Sequence, residues 1–112
     1  MPAEKRRHQR ARVSFPVDWG ETPSCVNPAR LTSLSVGGCF VQTKKTAREG
    51  SVIFLRLLVA PEARNVLEGV LMGRVLYVLE GVGFGLGFVK LKPEDERDIK
   101  DIVEFYFDPE SS

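Results

Sequence analysis

Histidine and cysteine are scarce in this chain, and their scarcity removes whole classes of chemistry. The single histidine, His8, has no carboxylate or nucleophile beside it in sequence, whereas a general base needs a rigid shell to position it. Two cysteines, Cys25 and Cys39, are too few for a disulfide framework, and neither has a neighbouring His or Cys at metal-ligand spacing. Both are read as reduced thiols. Long hydrophobic runs are missing too. The most apolar one, Val52 to Ala60, is short and interrupted by Arg56, and the basic N-terminus lacks the apolar stretch of a signal peptide. A soluble, cytoplasmic protein with no membrane partner is expected. The acids near the C-terminus, such as Glu94 and Asp98 at i, i+4, read as a solvated helix face. Without a catalytic constellation, no enzyme is expected.

What the chain does have is enough apolar content for one core and a marked asymmetry of charge. With 112 residues and 43% hydrophobic content, one domain can bury a core, and two hardly could. The formal net charge is only +1, but residues 1–12 hold Lys5, Arg6, Arg7, Arg10 and Arg12 against Glu4 alone. At the other end, residues 93–112 hold eight acids against Arg97 and Lys100. The chain is a charge dipole along its length and not a generally basic nucleic-acid binder. Residues 1–11, dense in like charge and without apolar periodicity, are expected to form a flexible basic arm ahead of a domain spanning 12–108.

From Arg12 the pattern alternates. Val13, Phe15, Val17 and Trp19 alternate with Ser14, Pro16 and Asp18, the period of a half-buried strand. Pro16 has no N–H to give a ladder, so this strand should lie at an edge or turn that position outward. A loop follows to Pro28, then a strand from Ala29 to about Leu34. Ser33-Leu34-Ser35-Val36-Gly37-Gly38 marks a tight turn into a strand over Cys39 to Thr43. Further strands are expected over Ser51 to Ala60 and Val66 to Leu79, with a turn at Glu62 to Asn65 between them. Gly81, Gly83, Gly85 and Gly87 alternate with Val82, Phe84, Leu86 and Phe88. No helix opens directly behind them, so this is not a phosphate-cradling loop. It reads as a strand with one bare face that a neighbour can approach closely. Pro93, the acids behind it and the i, i+3, i+4, i+7 stripe of Ile99, Ile102, Val103 and Tyr106 predict a helix, ended by Pro109. Mainly β structure follows: a small six-stranded antiparallel β-barrel, closed or partly closed, with a C-terminal α-helix.

The arginines are the candidate binding groups. A guanidinium presents a planar fork of donors that matches phosphate oxygens and the O6 and N7 acceptors of guanine. Arg6, Arg7 and Arg10 could therefore read a ligand carrying both phosphate and guanine. Because the basic residues are confined to the arm and do not track over a face, nucleic acid ranks last among anionic partners.

Arg6 and Arg10, spaced as Arg-x-x-x-Arg, followed by Ser33, Ser35 and Gly38 in a turn of the form Asp or Asn, x, Ser, x, x, Gly, resemble the signature of the PilZ domain family. The resemblance covers essentially the whole chain, including the glycine strand near Gly83 to Phe88 and the closing helix. It implies a six-stranded barrel that binds the bacterial second messenger cyclic di-GMP and needs no cofactor. By the same resemblance, Arg6 and Arg10 would clamp the ligand with Arg7 assisting, Ser35 would hydrogen-bond it, and Gly38 would leave room for it. A protein partner would receive the signal. The alternative is a ligand-independent PilZ-like interaction module in motility or pilus assembly. Ser33 departs from the pattern, since one hydroxyl cannot make the paired contacts to a guanine edge that Asp or Asn can. Losing such a pair costs about 1–3 kcal/mol. Turn chemistry at Ser33 and Ser35, and positive φ at Gly37 and Gly38, are the other reasons such residues could stand here.

Overall fold

The computed structural model describes residues 10–57 and 70–107. Six strands come first: β1 (Arg10–Gly20), β2 (Asn27–Ser35), β3 (Gly38–Gln42), β4 (Val52–Leu57), β5 (Leu71–Leu79) and β6 (Gly83–Phe88). The helix α1 (Pro93–Tyr106) follows them. The strands form a closed barrel in the order β1-β2-β3-β6-β5-β4, and every neighbouring pair is antiparallel. Closure leaves neither β1 nor β4 as an unpaired edge open to another chain.

Alternation builds the interior. Val17, Trp19, Leu31, Leu34, Val41, Ile53, Leu55, Val75, Phe84 and Leu86 are buried together, with the Trp19 and Phe84 rings edge to face at 5.1 Å and 80°. Pro93 opens α1, and Glu94, Asp95 and Glu96 sit in its first turn, where the helix dipole favours acids. Ile99, Ile102 and Val103 bury its apolar stripe in the same core. The helix packs on β1 and β2, and Tyr106 meets Phe15 edge-on at 5.2 Å.

Four sequence expectations shift in the structure. First, β1 starts at Arg10 and not at Arg12, with Arg10 opposite Ser35 and Ala11 opposite Leu34. Ala11 is 1% exposed, a buried position that its small side chain does not announce in the sequence. Second, β1 pairs on both sides, so of the two expectations for Pro16 the sheet edge fails and the outward-turned position, which is exposed, holds. The described pairs of β1 with β4 run from Val17 to Gly20, so Pro16 stands just beside that ladder, where its lack of an N–H breaks none of these pairs. Third, Ser33 and Ser35 belong to β2, and only Val36 and Gly37 link it to β3. Fourth, among the described residues the positive-φ glycines are Gly50, Gly81 and Gly83, so Gly37 and Gly38 are not there to supply that conformation. The expected turn at Glu62 to Asn65, the strand ends at 58–60 and 66–69, and the stop at Pro109 lie outside the described residues.

Candidate functional site

Two bulges build the site. Between the pairs Arg12–Ser33 and Phe15–Leu31, Val13 and Ser14 of β1 face the single residue Thr32 of β2. Across the other edge of β2, Leu31 pairs with Val41 and Ser33 with Phe40, so Thr32 is also the extra residue against β3. A bulge breaks the period of two and re-aims the side chains around it. Here it keeps Leu31 and Leu34 buried while Ser33 is partly exposed beside the exposed Arg10 and Arg12.

The side chains then meet directly. Arg10 Nη1 donates to Ser33 Oγ at 2.7 Å, joining the two sequence signatures across strands. Neutral hydroxyl against guanidinium leaves the cation's charge uncancelled, and the exposed face retains an anion-seeking group. Nearby, Arg30 Nη1 donates to Ser14 Oγ at 2.8 Å. Arg6 and Arg7 lie outside the described residues.

Ser35 plays an inward part. It is 2% exposed, and its Oγ accepts from the amides of Gly37 and Gly38, both at 3.2 Å, while donating to the Gly38 carbonyl at 3.3 Å. The hydroxyl thus builds the β2–β3 link and satisfies the Gly38 amide, which would otherwise be buried unpaired. Gly38 is set by close approach: a Cβ there would lie 2.1 Å from the Leu86 carbonyl oxygen of β6. Beneath this corner, burial pushes the Cys39 thiol up to about 12 from its usual 9.0, with the Arg10 charge pulling the other way. That thiol is neutral and unreactive at ordinary pH. Among the described residues no group of His, Cys, Asp and Glu side chains could hold a metal ion, and no helix is long and apolar enough to cross a membrane.

One row of residues crosses the barrel's outer face: Arg12 pairs with Ser33, Ser33 with Phe40, Phe40 with Gly85 and Gly85 with Tyr77. Phe40 and Tyr77 stack at 6.2 Å and 30°. The sequence shows the bare glycines of β6, but not that Phe40 and Tyr77 flank them, because that follows from strand order and register. Arg12, read only as one more cation of the arm, is likewise placed opposite Ser33 by register.

The comparisons with known proteins bear on the family and the fold. The PilZ domain model matches residues 4–105. No curated protein matches the chain significantly in sequence. Among solved structures, the PilZ domain with c-di-GMP of YcgR from Escherichia coli is similar at 17% identity and a TM-score of 0.68, over 91% of each chain. The Bacillus subtilis inhibitor of motility MotI/DgrA gives 14% identity and a TM-score of 0.72, over 89% of this chain and 50% of that one. The MrkH–c-di-GMP complex of K. pneumonia gives 18% and 0.63, over 88% of this chain and 51% of that one. With the family model spanning residues 4–105 of a chain folded as a closed six-stranded barrel, the chain belongs to the PilZ domain family.

Proposed function

We propose that this chain is a cytoplasmic cyclic di-GMP receptor that relays the messenger to a protein partner, acting as a binding module and not as an enzyme. The observation that carries the reading is the 2.7 Å hydrogen bond from Arg10 to Ser33, which brings the two signatures to one exposed corner with the guanidinium charge intact. Arg10 would fork onto phosphate or a guanine edge, and Arg6 and Arg7, a few residues earlier, would supply further forks. Ser33 would accept or donate once to the base. Ser35 and Gly38 would act through the β2–β3 link, holding the backbone against which the ligand rests. Membership of the family and similarity to PilZ domains solved with c-di-GMP support the ligand.

Magnitudes decide what Ser33→Asp should do. The carboxylate would pair with Arg10 on an exposed surface, an interaction worth about 0–1 kcal/mol that would compete with the ligand. It would also supply a paired contact to a guanine edge worth about 1–3 kcal/mol. The second effect wins. Calorimetric titration with cyclic di-GMP should show binding to the wild type, roughly tenfold to hundredfold weaker binding to Arg10→Ala and Arg6→Ala, and several-fold tighter binding to Ser33→Asp. Absence of heat with the wild type would overturn the reading.

The second reading, an interaction module independent of ligand, is favoured by the exposed Leu76, Tyr77, Leu79 and Val82 on the β5–β6 hairpin. It fits the similarity to a motility inhibitor. It predicts capture of a motility or pilus protein that is indifferent to added nucleotide and to Ser33→Asp.

A further inference from the structure

We propose that Phe40 and Tyr77 form a stacking surface for a base of the bound cyclic dinucleotide, which extends the site from the Arg10–Ser33 corner across β3 and β6. The inference rests on the cyclic di-GMP reading above. Its ground is the outer row, in which Phe40 stands directly opposite Ser33, one strand spacing of about 4.8 Å away. Next along the row comes Gly85, and beyond it Tyr77.

The two rings lie down over the sheet because β6 offers them no side chains there. A Cβ on Gly85 would fall 2.3 Å from Tyr77 Cε2, and one on Gly83 would fall 2.8 Å from Phe40 Cε2. Each ring therefore covers bare backbone. With the rings stacked at 30° and Tyr77 47% exposed, the pair presents an aromatic surface to solvent. The solvent-facing part of the pair adds nothing to core packing. What suits it is a flat, polarizable group, and the cations Arg10 and Arg12, which stand on the far side of Ser33 from Phe40, favour such a group attached to an anion. A purine nucleotide satisfies both demands, and aromatic stacking would serve either of its two faces.

Calorimetry with cyclic di-GMP on the wild type, Tyr77→Leu, Tyr77→Trp, Phe40→Leu and Arg10→Ala separates the possibilities. The ligand's guanine H8 proton, followed by NMR, reports stacking directly. Tyr77→Leu keeps the apolar bulk but loses the ring and should weaken binding about 5- to 150-fold, while Tyr77→Trp should retain it. In the wild type the H8 resonance should move upfield under the ring current, and in Tyr77→Leu it should not. Gly85→Ala, which pushes the Tyr77 ring aside without removing it, should weaken binding in the same direction.

Wild-type affinity in Tyr77→Leu and Phe40→Leu alongside weakened binding in Arg10→Ala would overturn the stacking surface and leave the receptor reading standing. No binding to the wild type would overturn both. If Tyr77→Leu converted a dimer to a monomer in sedimentation at unchanged ligand affinity, the face would belong to a second copy of the chain and the stacking role would fall.

Discussion

Cys39 is the residue where burial and charge oppose each other most directly. Its thiol is fully enclosed and held neutral, with a folded-state value of about 12 against 9.0 for the free group, and Arg10 offsets only part of the burial effect. Well below pH 9.0 the thiol is neutral in the folded and unfolded chains alike. As pH rises from there toward 12, only the unfolded chain ionises, so the folded state loses stability across that window. Urea unfolding at a series of alkaline pH values should show a steeper fall for the wild type than for Cys39→Ala. Equal slopes would mean that the thiol is not held neutral by the fold. The same enclosure predicts no reaction of Cys39 with a thiol reagent in the native protein.

At the scale of elements, the contact between β3 and β6 is the most constrained. Gly38 stands opposite Gly87, and the Leu86 carbonyl occupies the place where a side chain on Gly38 would begin. Because that obstacle is backbone, Gly38→Ala should open the ladder and lower stability by about 1–3 kcal/mol or more. Gly85→Ala, blocked only by a tyrosine side chain free to swing, should cost less. Chemical denaturation of the two variants checks the order. The strands themselves were legible wherever side chains keep a strict period of two, and the helix from its apolar stripe. The bulges at Val13, Ser14 and Thr32 were not, since an added residue announces itself only when two strands are paired. Ser33 and Arg10 were nameable from spacing, but their hydrogen bond depends on those bulges. Ser35 likewise read as a ligand contact or a turn former, and only the atoms show its hydroxyl holding Gly37 and Gly38.

For the whole molecule, composition and alternation pointed to a small barrel with a helix, and this much of the fold could be read before any coordinates. Strand order could not. The placement of β6 between β3 and β5 is what lays Phe40, the glycines and Tyr77 side by side. The division of the molecule into a closed interior and a decorated exterior has one more consequence. Trp19 is the single tryptophan, fully buried beside Phe84, while the Arg10–Ser33 corner and the aromatic row lie on the outside. The protein therefore carries its own optical reporter, placed to register the integrity of the fold. Its emission maximum should shift to the red on unfolding in urea and stay in place when cyclic di-GMP saturates the surface. A ligand-induced shift would show that binding at the rim is felt in the middle of the barrel.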